Sequence, residues 1–128
     1  MNIPLKTLSP QDPALPGIWQ SHDWGSSFRL LEQERYSVRH VIIHPGRALR
    51  LECHLHRVEH WLVVAGSGRV EKNDRTFDLF EGESLDIGIG ETHGIANPGH
   101  IDLHMIEVRM GCYLGDDDLV QGPRGLQS

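Results

Sequence analysis

The sequence predicts an all-β domain, a sandwich or barrel of short strands. Three observations carry that reading: recurring short runs of β-branched and aromatic residues, a turn signal closing each run, and an abundance of glycine, 14 in 128 residues. Regularly spaced short strands separated by turn residues are the pattern of barrels and sandwiches. The first run, residues 36–43, stops at Pro45-Gly46. The second, 61–64, stops at Gly66-Ser67-Gly68. The third, 76–80, lies between Lys72-Asn73-Asp74 and Glu81-Gly82-Glu83, and the fourth, 103–108, follows Asn97-Pro98-Gly99. A short helix is conceivable only near the N-terminus or over 116–120, and neither stretch carries an apolar stripe. Four prolines among residues 1–16 predict an arm with little regular structure, and 122–128 reads as a fraying tail. The barrel itself is expected over 17–121.

A chain of this length buries one core and not two. The composition narrows its partners. The formal net charge is -6, with 12 Lys and Arg against 18 Asp and Glu, and no basic patch stands out, so nucleic acid and anionic membrane are not expected partners. No apolar run is long enough to span a bilayer, and the N-terminus lacks the basic start and apolar core of a signal peptide, so a soluble cytoplasmic protein is expected. Cys53 and Cys112 form no disulfide framework and read as small buried side chains.

Nine histidines are many for this size, and their positions matter more than their number. Along a strand alternate residues face the same way, so Glu52 and His54 project together, as would His56 if the strand continued. Glu59 shares a face with Trp61, Val63 and Ala65, while His60, Leu62 and Val64 take the other. A pair from one strand, a carboxylate from the next and His93 from a later strand can converge inside a barrel. Imidazole with carboxylate suits manganese, iron, nickel or zinc. The bland alternative is that His54 and His93 are hydrogen-bonded fillers of the barrel. Trp61 reads as core, Trp19 and Trp24 as contacts of the arm, and His40, His44 and His60 as exposed or interfacial.

The spacing of these residues resembles the two motifs of the cupin superfamily. Gly46, five residues, Glu52-Cys53-His54, four residues, Glu59, six residues and Gly66 fit the first motif, with Glu52 where a histidine usually stands. Gly82, Gly88-Ile89-Gly90, His93 and Asn97 fit the second, with Gly88 in place of proline. The resemblance implies a double-stranded β-helix, a jelly-roll-like barrel. Trp24-Gly25, the run HLHRVEHW from His54 to Trp61, Asn97-Pro98-Gly99, Ile106-Glu107-Val108 and the stretch from Gly111 to Val120 are similar to the C-terminal domain of type II phosphomannose isomerases. Those domains are often fused to a mannose-1-phosphate guanylyltransferase, and the present chain would be a version without it.

That resemblance implies a divalent metal on Glu52, His54, Glu59 and His93, a sugar or sugar phosphate as substrate, and aldose–ketose isomerisation through an enediol. His56 and Arg57 are the candidate catalytic residues, His56 as proton carrier and Arg57 as a partner for a substrate anion. The departures from the family are informative. Glu52 replaces the usual glutamine and sets a second negative charge beside Glu59, which favours a hard cation. Gly94 stands where the family has arginine after the motif histidine, so Arg57, Arg109 or Arg124 would have to meet a phosphate. Two other functions fit the same fold: a non-catalytic cupin binding a sugar or small ligand, and another metal-dependent cupin reaction such as dioxygenation. A homodimer is the expected assembly.

Overall fold

The structure, a computed structural model, describes residues 18–114 and 120–121. Its elements are strands: β1 (Trp19–His22), β2 (Gly25–Glu32), β3 (Tyr36–Ile43), β4 (Ala48–Cys53), β5 (Arg57–Ala65), β6 (Gly68–Lys72), β7 (Arg75–Leu79), β8 (Ser84–Ile87), β9 (His93–Ala96), β10 (Leu103–Gly111) and β11 (Val120–Gln121). They form two antiparallel sheets in the orders β1-β2-β3-β10-β5-β8 and β11-β4-β9-β6-β7. This is the expected all-β barrel, and among the described residues there is no helix. The arm over 1–16, the tail over 122–128 and the helix considered near the N-terminus fall outside the described residues. So does most of the segment 116–120, of which Val120 belongs to β11.

Turn chemistry explains the connections. Asn73 and Asp74 take φ of 48° and 68°, so β6 and β7 are joined by a two-residue turn whose twist matches the strands. Asn97 closes the other end of the barrel. Its Nδ2 donates to the carbonyls of Ile43 and Ile101, each at 2.8 Å, and its Oδ1 accepts from the Gly99 N–H at 3.0 Å.

Strand alternation gives the barrel a dry end and a polar end. On the larger sheet, Val41, Met105 and Val63 stand side by side and are buried. One step along, the row reads Arg39, Glu107, Trp61, and one step further Ser37, Arg109, Glu59. The smaller sheet repeats the gradient, with Leu49, Ile95 and Val70 in one row and Glu52 and His93 in the next. Apolar burial at the dry end supplies roughly 1.5–3 kcal/mol for each large side chain. The polar end is where charged groups are gathered without full access to water.

One expectation about the cysteines is corrected. Cys53 is buried at the end of β4, but Cys112 is exposed, because the chain has by then run past β10 and left the barrel wall.

Candidate metal centre

Glu52, His54 and His93 come together at the polar end, with a possible ligand atom from each lying within 4.8 Å of the others. Two local features aim them. Between β4 and β9 the register slips, so that Arg50 and Leu51 both fall where Gly94 stands opposite, and the pairing resumes at Glu52 with His93. Such a bulge bends a strand and re-aims its side chains. Gly94 makes room for it, since a Cβ there would lie 3.0 Å from the Leu49 carbonyl oxygen and 3.2 Å from the Leu51 nitrogen.

Hydrogen bonds fix the rings. His93 Nδ1 donates to the Glu91 carbonyl at 3.0 Å, which leaves the Nε2 lone pair free to face the cluster. A hydrogen bond of this kind on the other ring nitrogen sets tautomer and orientation in metal-binding histidines. His54 is 4% exposed, and its Nε2 accepts a hydrogen bond from Arg57 Nη2 at 2.9 Å.

Glu59, 3% exposed, borders the cluster. Its Oε2 lies 3.2 Å from His54 Nε2 and its Oε1 3.9 Å from His93 Nε2. Arg57 Nε donates to Oε2 at 2.9 Å and Trp61 Nε1 donates to Oε1 at 3.0 Å. A carboxylate has about four lone-pair sites, so these two bonds leave acceptor capacity. Burial pushes the Glu59 carboxyl up, but Arg109, His93, Arg57 and His54 together outweigh it and hold the group below the usual range. Glu52 behaves oppositely. Its burial raises its pKa, His93 opposes the shift, and the charge of Glu59 adds to it.

The donor set fits a divalent cation. Metal–ligand bonds of about 2.0–2.2 Å place neighbouring ligand atoms about 3 to 4 Å apart, so the ligand atoms of Glu52, His54 and His93, within 4.8 Å of one another, would draw together by up to about 2 Å. The two imidazoles and the Glu52 carboxylate, with Glu59 at their border, are donor types that suit manganese, iron, nickel or zinc.

Above the cluster lies a cavity of about 230 Å³ whose lining includes Glu52, Glu59, His93, Trp24, Arg39 and Arg109. Trp24 lines the cavity, with His22 stacked on it at 4.3 Å between ring centroids, and the arm expected to contact it lies outside the described residues. Sequence reasoning missed Arg39, Arg50, His22 and Glu107, all of which line this space. The alternation Ser37, Arg39, Val41, Ile43 carried the signal for Arg39. Arg109 Nε donates to Glu107 Oε1 at 2.6 Å, so this arginine reaches the cavity already paired with a carboxylate.

The two catalytic candidates lie elsewhere. β4 ends at Cys53, the chain turns through Leu55 and His56, and His56 is exposed with its ring edge-on to Tyr113 at 6.2 Å. Arg57 faces neither solvent nor the cavity; it is 4% exposed and held by Glu59 and His54. Arg124 lies outside the described residues.

Two antiparallel sheets enclosing a histidine and glutamate cluster at one end define a cupin barrel. The cupin domain of Schizosaccharomyces pombe Cnp3 shares the fold, with a TM-score of 0.65 at 16% identity over 67% of this chain and 64% of that one. Within this class the chain belongs to the family described as mannose-6-phosphate isomerase C-terminal, which matches residues 19–122. It is 46% identical over 96 residues to the alginate biosynthesis protein AlgA of Pseudomonas aeruginosa, covering 75% of this chain and 20% of that protein. Mannose-1-phosphate guanylyltransferase ManC of Salmonella typhimurium is 46% identical over 98 residues, 77% of this chain and 20% of its own length. The chain thus spans about a fifth of the length of these relatives.

Proposed function

We propose that the chain binds a divalent cation through Glu52, His54, Glu59 and His93 and interconverts an aldose and a ketose sugar phosphate. The observation that carries the reading is the meeting of Glu52, His54 and His93 within 4.8 Å, under an arginine-bearing cavity, in a chain of this family.

Isomerisation moves a proton between adjacent carbons while charge develops on their oxygens. The cation, when bound, would supply Lewis-acid polarisation of the carbonyl. The chain's own residues supply the rest. Arg39, Arg50 and Arg109 line the cavity and offer planar N–H forks suited to a phosphate. Glu107 and His22 also line it and are placed to accept and return a proton, the role that the sequence assigns to His56. Burial and then the charge of Arg39 lower the His22 pKa, which favours the neutral, basic form, and Ser27 Oγ holds the ring from 2.9 Å.

Elemental analysis of untagged protein, repeated on His54→Ala and His93→Ala, tests the metal. Stoichiometric cation in the wild type and its loss from both variants supports the site. Interconversion of mannose-6-phosphate and fructose-6-phosphate by the loaded protein tests the reaction. A second reading, sugar binding without turnover, is favoured by Gly94 in place of the family's arginine and by the pairing of Arg109 with Glu107. Saturable binding of the sugar phosphate with no interconversion selects it.

A cytoplasmic homodimer completes the proposal. No helix among the described residues is long and apolar enough to cross a membrane. The outer face of the larger sheet exposes Leu62 and Val64, an apolar surface that a second copy would cover.

A further inference from the structure

We infer that Arg57 is a built-in competitor for the metal, whose guanidinium must leave His54 and Glu59 before a cation can be held. The inference rests on the metal reading above and adds a means of regulating that site. Arg57 Nη2 donates to His54 Nε2 at 2.9 Å, and Nε of the same side chain donates to Glu59 Oε2 at 2.9 Å. His54 Nε2, 3.2 Å from Glu59 Oε2, has a single lone pair, and a metal bond and an N–H hydrogen bond cannot share it. Glu59 could serve both partners, but His54 cannot.

The guanidinium also has no chemical way out. A histidine or lysine in this position could yield by losing its proton, whereas arginine stays charged. Arg57 must therefore move, and until it does a dication would be held against a fixed positive charge in a nearly dry site. Its hold is incomplete, because Nη1 is buried with no hydrogen-bond partner among the described residues. The side chain springs from the first residue of β5, directly after the exposed Leu55-His56 turn, with Gly111 of β10 opposite it.

The same contacts explain why the residue is there. Without a cation, Glu52 and Glu59 share one small space, and breaking the charge balance of a buried pair is costly. Arg57 supplies a positive charge to Glu59 and a donor to His54, so the guanidinium stands in for the metal in the metal-free state. Uptake then exchanges one cation for another. Metal affinity is lower than the ligands alone would give, and the metal-free fold is more stable.

The test is titration of the full chain with Zn²⁺ by calorimetry and with Co²⁺ by visible absorption, in the wild type, Arg57→Met and Arg57→Lys. Removing a competing charge-assisted hydrogen bond from His54 should tighten binding by about tenfold or more in Arg57→Met. Arg57→Lys keeps the charge but loses the fork, so its gain should be smaller. Thermal melts should show the metal-free Arg57→Met protein less stable than wild type and more strongly stabilised by Zn²⁺. In the wild type, the Arg57 Nε–H resonance should shift on adding Zn²⁺, a readout that does not depend on any variant folding. Equal or weaker binding by the variants together with an unmoved Arg57 resonance overturns the competition and leaves the metal site standing. Folded wild type and variants that all fail to bind either ion overturn the metal reading itself.

Discussion

Glu52 and His93 face each other directly across the β4–β9 ladder, although the two residues before Glu52 have no separate partners opposite. The bulge formed by Arg50 and Leu51 therefore decides whether the carboxylate and the imidazole meet. Gly94 is its counterpart on β9. A side chain at 94 would press on the Leu49 carbonyl and the Leu51 nitrogen, both backbone atoms that have little room to yield. Gly94→Arg, which restores the residue that the family has there, should cost roughly 1–3 kcal/mol of stability. Urea unfolding of the metal-free protein measures this. Zn²⁺ affinity should fall as well, since the displaced strand carries Glu52.

Asn97 gives a prediction about the frame. It is 2% exposed and makes three side-chain hydrogen bonds that tie the end of β9 to β3 and to the loop before β10. Asn97→Ala leaves two carbonyls and one N–H without their partner, at about 1–3 kcal/mol for each group that water does not reach. A loss of about 2–4 kcal/mol by denaturant unfolding is expected. Metal stoichiometry should be retained wherever the variant is folded, because Asn97 lies at the opposite end of the barrel from the cluster.

Trp61 couples the core to the site. Its ring fills the space beside Val63 and packs edge-on against His93 at 5.5 Å, while Nε1 donates to Glu59. Trp61→Phe keeps most of the apolar ring and removes the donor. A buried carboxylate that loses one charge-assisted bond is destabilised by about 1.5–3 kcal/mol. The Glu59 carboxyl should titrate at higher pH in the variant, which carboxylate carbon NMR of the metal-free protein would record. An unchanged titration would mean that the arginines and histidines alone hold its charge.

Alternation along single strands made much of this readable in the sequence, and its breaks hid the rest. β5 keeps one register with β10 from Arg57 to Val63, so Glu59, Trp61 and Val63 face inward as the period of two requires, while Leu62 and Val64 are exposed and the register slips only at Val64. Applied to β4, the same rule set Glu52 and His54 on one face but carried His56 with them. The strand ends at Cys53, and His56 turns outward. The bulge at Arg50 and Leu51 has no local signature, because it depends on the absence of a side chain at Gly94 on another strand. Arg57 has the inward parity of Glu59, yet its partner on His54 follows from the turn between them and not from strand spacing. Arg39 and Glu107 were legible in principle, each alternating with apolar residues, but they lie outside the motif strands.

Glu52 is predicted to oppose folding while enabling function. Burial raises its carboxyl pKa in the folded state, and the neighbouring Glu59 adds to the shift. A carboxyl with a raised folded pKa is protonated in both states at sufficiently low pH and contributes nothing there. As pH climbs through the ordinary carboxylate range the unfolded chain ionises first, so the folded state loses relative stability until Glu52 ionises too. Glu52→Gln removes that penalty. Melts of metal-free protein between about pH 4 and about pH 8 should show the variant and wild type alike at the acid end and the variant more stable at the neutral end. Added Zn²⁺ should narrow or reverse the difference at neutral pH, because an ionised carboxylate holds the cation more strongly than the neutral amide oxygen that the family usually has there, and tighter binding stabilises the folded state more. A variant that is less stable than wild type at neutral pH without metal would mean that Glu52 is already paired with the arginines around it.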